Sequence, residues 1–134
     1  MARLVLDASV LIAMIDRSDK HHAWAFDLFR QTTDHALILS ALTLTEVMVR
    51  PMRNGREDQM RTAIESLRIE KVAFDSADCE PVAYIRASTS MKLPDAVVLH
   101  TAQVSNSSLA TMDKALAKNA REFGLTVYSP SFRE

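Results

Sequence analysis

The sequence has one cysteine, two glycines and four prolines in 134 residues. A single thiol, Cys79, closes no intrachain disulfide, which fits a reducing compartment. Cys79 reads as a small residue in or beside a helix, because a free cysteine usually acts as a small hydrophobe. Such low glycine and proline content argues against long loops and low-complexity linkers. No apolar run approaches the roughly 18 residues that a membrane span needs. The first apolar segment is cut by Asp7 and has only Arg3 ahead of it, which makes a poor signal peptide. A soluble cytoplasmic protein is the default expectation. Charge of one sign is missing too: 16 Lys and Arg against 17 Asp and Glu leave a net charge of −1. Overall charge therefore does not announce a nucleic-acid binder, and any such binding requires a local basic patch or metal ions.

What is present suits one ordinary core. Apolar residues make up 48% of the chain, and the length predicts a single domain over residues 1–134. Short apolar runs at 3–6, 36–39, 72–74, 109–111 and 125–128 read as strands. Between them, helical spacing predicts helices over 9–15, 21–31, 40–50, 56–68, 78–90, 95–104 and 114–123. Pro51 should end or kink the third of these, Asn54-Gly55 marks a turn, and Gly124 is a natural helix stop. The strands lack polar alternation. That pattern predicts a three-layer α/β/α sandwich around a parallel sheet of about five strands. Right-handed crossovers then bring the carboxyl ends of all strands to one edge.

Four acids mark that edge: Asp7, Glu46, Asp95 and Asp113. Each has a plain structural reading. Asp7 and Asp113 are placed to N-cap helices, Thr43-x-x-Glu46 matches a capping box, and Asp95 suits the positive end of its helix. Taken together, these readings weaken. A cap needs only an acceptor, and Ser, Thr or Asn would serve. Four carboxylates on one edge repel one another and raise each other's pKa unless a counter-charge is present. A divalent ion supplies it. Oxygen-only donors suit Mg²⁺ or Mn²⁺, and the lack of Cys and His pairs argues against zinc. Such an ion polarises a phosphoryl oxygen, acidifies water and aligns nucleophile with leaving group.

The motifs around these acids carry a resemblance. Asp7-Ala8-Ser9-Val10-Leu11-Ile12-Ala13, Ser40-x-x-Thr43-x-x-Glu46-Val47, Leu93-Pro94-Asp95-Ala96-Val97-Val98 and Thr111-Met112-Asp113-Lys114-Ala115-Leu116 resemble, in order, the four motifs of PIN-domain ribonucleases. The compact size is similar to that of VapC-type toxins of toxin–antitoxin pairs. The resemblance implies a Mg²⁺- or Mn²⁺-dependent endoribonuclease. It makes Asp7 and Asp95 the main metal ligands, with Glu46 completing the set or orienting the attacking water. Asp113 would act through water or hold a second ion. Ser9, Thr43 and Thr111 would steady the carboxylates or contact phosphate. It also implies an RNA substrate, a cognate antitoxin and a homodimer. Ala115 stands where some relatives carry a further acid, so no fifth acidic ligand is expected.

Other residues invite weaker readings. Arg50, Arg53 and Arg56 form either a solvated helix end or a phosphate-binding rim. His21-His22 reads as a solvated helix start, and His100 as a packing or surface residue. Trp24 and Phe29 read as core, or as part of a groove for a partner helix. Asp16 reads as a loop or capping acid, with a peripheral place at the site as the alternative. A receiver-like phosphoacceptor domain shares the five-stranded pattern, with Asp75 as its acceptor. It lacks the acidic pair after the first strand and a lysine after the fifth, so Asp75 is better read as a cap. A degenerate binding module and a PIN nuclease for routine RNA processing are the remaining alternatives. The expected reaction is in-line attack of water on a phosphodiester, leaving 5′-phosphate and 3′-hydroxyl ends.

Overall fold

The apolar runs become strands covered on both faces. The computed structural model describes residues 1–130. Its strands are β1 (Arg3–Leu6), β2 (Ala36–Ser40), β3 (Glu70–Val72), β4 (Ser108–Ala110) and β5 (Val127–Tyr128). All neighbours pair in parallel, in the order β3-β2-β1-β4-β5. Helices α1 (Ala8–Ile15) and α2 (His22–Gln31) link β1 to β2, and α3 (Ala41–Arg53) and α4 (Glu57–Ser66) link β2 to β3. A 3-10 turn (Ser76–Asp78), α5 (Cys79–Ser88) and α6 (Leu93–Val104) carry the chain to β4, and α7 (Lys114–Glu122) leads to β5.

Two cores follow from the period-two alternation of a strand. Leu4, Leu6, Leu37 and Leu39 face a cluster completed by Leu11 of α1, Leu28 of α2, Val47 of α3 and Ile64 of α4. Val5, Ile38 and Leu109 face the opposite cluster, with Val82 and Ile85 of α5, Val97 of α6 and Leu116 of α7. The result is the expected three-layer sandwich. Helix α6 is buried at every position from Ala96 to Ala102, as a helix wedged between sheet and neighbours must be.

The strand order fixes where a site can form. From β1 the chain winds outward through β2 and β3 on one side, then crosses back to β4 and β5 on the other. The winding therefore reverses between β1 and β4. A crevice opens beyond the carboxyl ends of those two strands, the usual ligand position in open α/β sheets. This order also disposes of the receiver-like alternative, whose strands run 2-1-3-4-5. Asp75 is the N-cap of the 3-10 turn, in a capping box with Asp78.

Several boundaries differ from the sequence expectation. Helix α3 continues through Pro51 to Arg53. Pro51 lacks an N–H, yet its carbonyl accepts from Arg56 N at 2.8 Å, which closes the helix end against the next turn. Strand β3 lies at 70–72 because its partner β2 ends at Ser40, opposite Val72. Strand β5 is only two residues long, because Leu125 N bonds back to Ala120 O at 3.0 Å to finish α7. The Thr43-x-x-Glu46 capping box does not form. Ser40 is the N-cap, accepting from Leu42 N at 3.2 Å, so Thr43 is already inside the helix. Trp24 and Phe29 are only partly buried, and Ala25 and Leu28 take the enclosed positions of α2. His22 is more than a solvated start: its ring Nδ1 donates to Ala13 O at 2.7 Å.

Candidate active site

The local sequence after β1 forces Asp7 into the crevice. It leaves the strand in extended geometry (φ −83°, ψ 171°) and N-caps α1. One carboxylate oxygen accepts from Ser9 Oγ at 2.6 Å and from Val10 N at 3.0 Å. The other accepts from the hydroxyl of Thr111. Thr111 is fully buried at the end of β4, and its own N–H bonds Tyr128 O at 3.1 Å. The same Thr111 Oγ1 accepts from Asp113 N at 3.0 Å, and Asp113 N-caps α7 by accepting from Leu116 N at 3.0 Å. One threonine hydroxyl thus joins two of the expected acids. Ser9 Oγ also accepts from Met112 N at 3.4 Å, a second tie between the ends of β1 and β4.

Asp95 sits in the first turn of α6, after Pro94. Glu46 lies two turns into α3, on its exposed side. The carboxylates of Asp95 and Glu46 accept no hydrogen bond from any described residue. Burial pushes the pKa of Asp7 up; its three hydrogen bonds pull against this, and the charge of Asp113 adds to the rise. Asp95 is raised by burial first, then by Asp113 and Asp7, with Lys92 opposing. Glu46 is raised by desolvation first, then by Asp95 and Asp7. Glu46 and Asp95 therefore each feel two other acids of the set, and Asp7 feels Asp113. They converge on a single crevice, although the helices that carry them are far apart in sequence.

The acids converge without touching. Among the described residues, no three His, Cys, Asp or Glu side chains lie close enough to ligate one ion as they stand. The chemistry of the donor set still fits a hard cation. All four donors are carboxylate oxygens, and those of Glu46 and Asp95 keep their lone pairs free. Neither Glu46 nor Asp95 is enclosed, so both side chains have room to move toward a shared ion.

The remaining expected residues fall in different places. Thr43 is buried in the first turn of α3, and among the described residues its hydroxyl bonds none of the acids. Arg50 and Arg56 line a cavity of about 390 Å³ between α1, α3 and α4, over an apolar floor that includes Ile12, Val47 and Met60. Arg53 lies outside it, exposed at the end of α3. Asp16 caps the end of α1 and accepts from both Ser18 N at 2.9 Å and Ser18 Oγ at 2.7 Å, which hold its carboxyl below the usual range. His100 is buried, and its Nε2 donates to Asp78 Oδ1 at 2.7 Å, away from the acids. Sequence reasoning missed Lys92. A cation at the N-cap, three residues before Asp95, was the available cue, because the N-cap and the third helical residue come close at a helix start.

Comparison with known proteins follows the same lines. The family described as PIN domain matches residues 4–122. No curated protein sequence matches the chain. Among solved structures, a toxin–antitoxin complex from Klebsiella pneumoniae aligns with 25% identity and a TM-score of 0.63, covering 82% of this chain and 86% of that one. FitAcB from Neisseria gonorrhoeae aligns at 20% identity and TM-score 0.68, covering 93% and 96%. VapC20 of Mycobacterium tuberculosis, a sarcin–ricin loop cleaving toxin, shares 12% identity at TM-score 0.72, covering 86% and 93%. The latter two likenesses are of fold.

Proposed function

The chain belongs to the PIN-domain family, and on that ground we propose that it is a divalent-metal-dependent endoribonuclease, the toxin of a type II toxin–antitoxin pair. The observation that supports this reading best is that Asp7 and Asp113, tied through Thr111, stand where the sheet reverses its winding, with Asp95 and Glu46 near enough to raise or share in the raising of carboxylate pKa there. A fold that only needed helix caps would gain nothing by crowding charges there.

Asp7 and Asp95 are the principal cation-holding residues in this reading. Asp7 is held in place by Ser9 and Thr111, and Asp95 by its position in the first turn of a buried helix. Glu46, exposed and without a hydrogen bond from any described residue, orients the attacking water. Asp113 acts from the rim, steadied by Leu116 N. When bound, Mg²⁺ or Mn²⁺ supplies charge neutralisation and a more acidic water. Arg50 and Arg56, and Arg53 beyond them, offer phosphate contacts that an almost neutral chain otherwise lacks. The antitoxin is a second protein, as in the toxin–antitoxin complexes that this chain is similar to, and a homodimer is part of the same proposal.

The test is cleavage of single-stranded RNA by purified protein. Wild type should cut with Mg²⁺ and stop cutting in excess EDTA. Asp7→Asn and Asp95→Asn should lose cleavage and keep the circular dichroism of wild type. Cleavage that persists at full rate in EDTA sinks the metal role. Growth arrest on expression, relieved by a co-expressed partner encoded next to it, separates a toxin from an RNA-processing nuclease.

A further inference from the structure

A second cavity, of about 250 Å³, lies along the open edge of β5, between that strand and α2. Its walls are unusual for this chain. They include Trp24, the only tryptophan, and Tyr128, one of two tyrosines. Trp24, Asp27, Leu28 and Gln31 lie three, four and seven apart along α2, and so present one stripe to the cavity. Trp24 is only partly buried, which leaves part of its ring to the opening. Ser129 closes the far side.

The polar groups have defined hydrogen-bonding states. Gln31 Nε2 donates to Asp27 Oδ2 at 2.7 Å, and Arg30 donates to Asp27 Oδ1 at 3.1 Å. Each Asp27 oxygen keeps a further lone pair, and the Gln31 amide oxygen is left as an acceptor. Arg30 offsets the charge of Asp27, so the rim does not simply repel phosphate. Ser129 Oγ accepts from Arg121 at 3.3 Å and so keeps its O–H to donate. The rim thus offers several acceptors, with the Ser129 hydroxyl among its donors, beside two aromatic rings.

We propose that this cavity holds a base of the RNA substrate, with guanine preferred. The inference rests on the nuclease reading for its polymer but on separate residues for its site. Single-stranded RNA is recognised by stacking splayed bases on aromatic side chains and bonding their Watson–Crick edges. Guanine presents two adjacent donors, N1–H and N2–H₂, next to one acceptor, O6. A carboxylate takes the donors, and the Ser129 hydroxyl takes O6. Uracil presents a single donor between two acceptors and leaves the carboxylate half used. The position is also apt. Tyr128 O accepts from Thr111 N, and Thr111 bonds Asp7, so β5, one wall of the cavity, lies two strand spacings from β1, about 10 Å. A base there flanks a phosphodiester in the crevice.

Because Trp24 is the only tryptophan, its fluorescence reports this cavity directly. The experiment titrates wild-type protein in EDTA with the pentanucleotides UUGUU and UUUUU, and follows Trp24 quenching. Saturable quenching is expected, tighter for UUGUU by about fivefold or more. Asp27→Ala, an exposed change on α2, should erase that preference, and Ser129→Ala should reduce it. Absence of quenching while labelled RNA binds by anisotropy overturns the proposal, as does an undiminished guanine preference in Asp27→Ala. The two readings fail separately. Mg²⁺-dependent cleavage with a silent Trp24 removes the base site alone. Quenching without cleavage in Mg²⁺ or Mn²⁺ supports the base site and removes the nuclease.

Discussion

At the scale of single residues, Asp7 is governed by opposing effects. Burial and the Asp113 charge raise its pKa, and donors from Ser9, Thr111 and Val10 lower it, with the rise winning. Thr111 is the more informative residue to change, because it is fully buried and bonds both Asp7 and the backbone of Asp113. Thr111→Val keeps the shape and removes the hydroxyl. It should cost about 2 kcal/mol in urea unfolding, the penalty for buried partners left unsatisfied, whereas Thr111→Ser should retain most of the stability. The acids also set a pH dependence. Asp7 and Asp95 start from 3.8 and Glu46 from 4.5, and all three are raised in the fold. Stability from these groups is therefore fully present below about 4 and is lost as pH rises through their higher folded values. Cation binding runs the other way, since it needs the ionised forms. Urea midpoints in EDTA should fall, and Mg²⁺-dependent cleavage should rise, over one pH interval above the ordinary carboxylate range.

At the scale of elements, the long crossover from β3 to β4 has a pin of its own. His100 on buried α6 bonds Asp78 at the head of α5, and Asp78 also accepts from Asp75 N at 3.0 Å. Those bonds hold the Asp78 carboxyl below the usual range, the backbone bond first. His100→Ala should cost about 2 kcal/mol in urea unfolding, as expected for a bond to a charged partner. Hydrogen exchange should show the loss first in α5. The sequence offered a fair view of such elements and a poor one of their pairing. The runs of β1 and β2 and the helices around Asp7 and Asp95 were legible because apolar spacing alone dictates them. Strand β3 was misplaced by two residues because its position depends on where β2 ends, a fact of pairing. Trp24 falls between its two readings, core and groove, packing against the core while only partly buried, because helical spacing shows which side of a helix is apolar but not which part of that side its neighbours leave uncovered.

At the scale of the molecule, the four motifs were legible because each stands at the end of an apolar run, and parallel winding brings those ends to one edge. What sequence could not supply was how near the side chains come. They share an electrostatic field without forming a ligand set as they lie. The whole fold should therefore respond to a cation. Mg²⁺ should raise the melting temperature of wild type by mass action. Asp95→Asn should respond weakly to Mg²⁺. In EDTA it should be slightly more stable than wild type, by less than about 1 kcal/mol, because solvent screens this half-exposed site.

The bond between Thr111 and Asp7 spans 104 positions of the chain. Any polypeptide released before β4 lacks one side of the crevice, however well its first three strands form. Under the proposed function, no nascent chain should cut RNA until β4 and Thr111 have emerged to complete the crevice around Asp7.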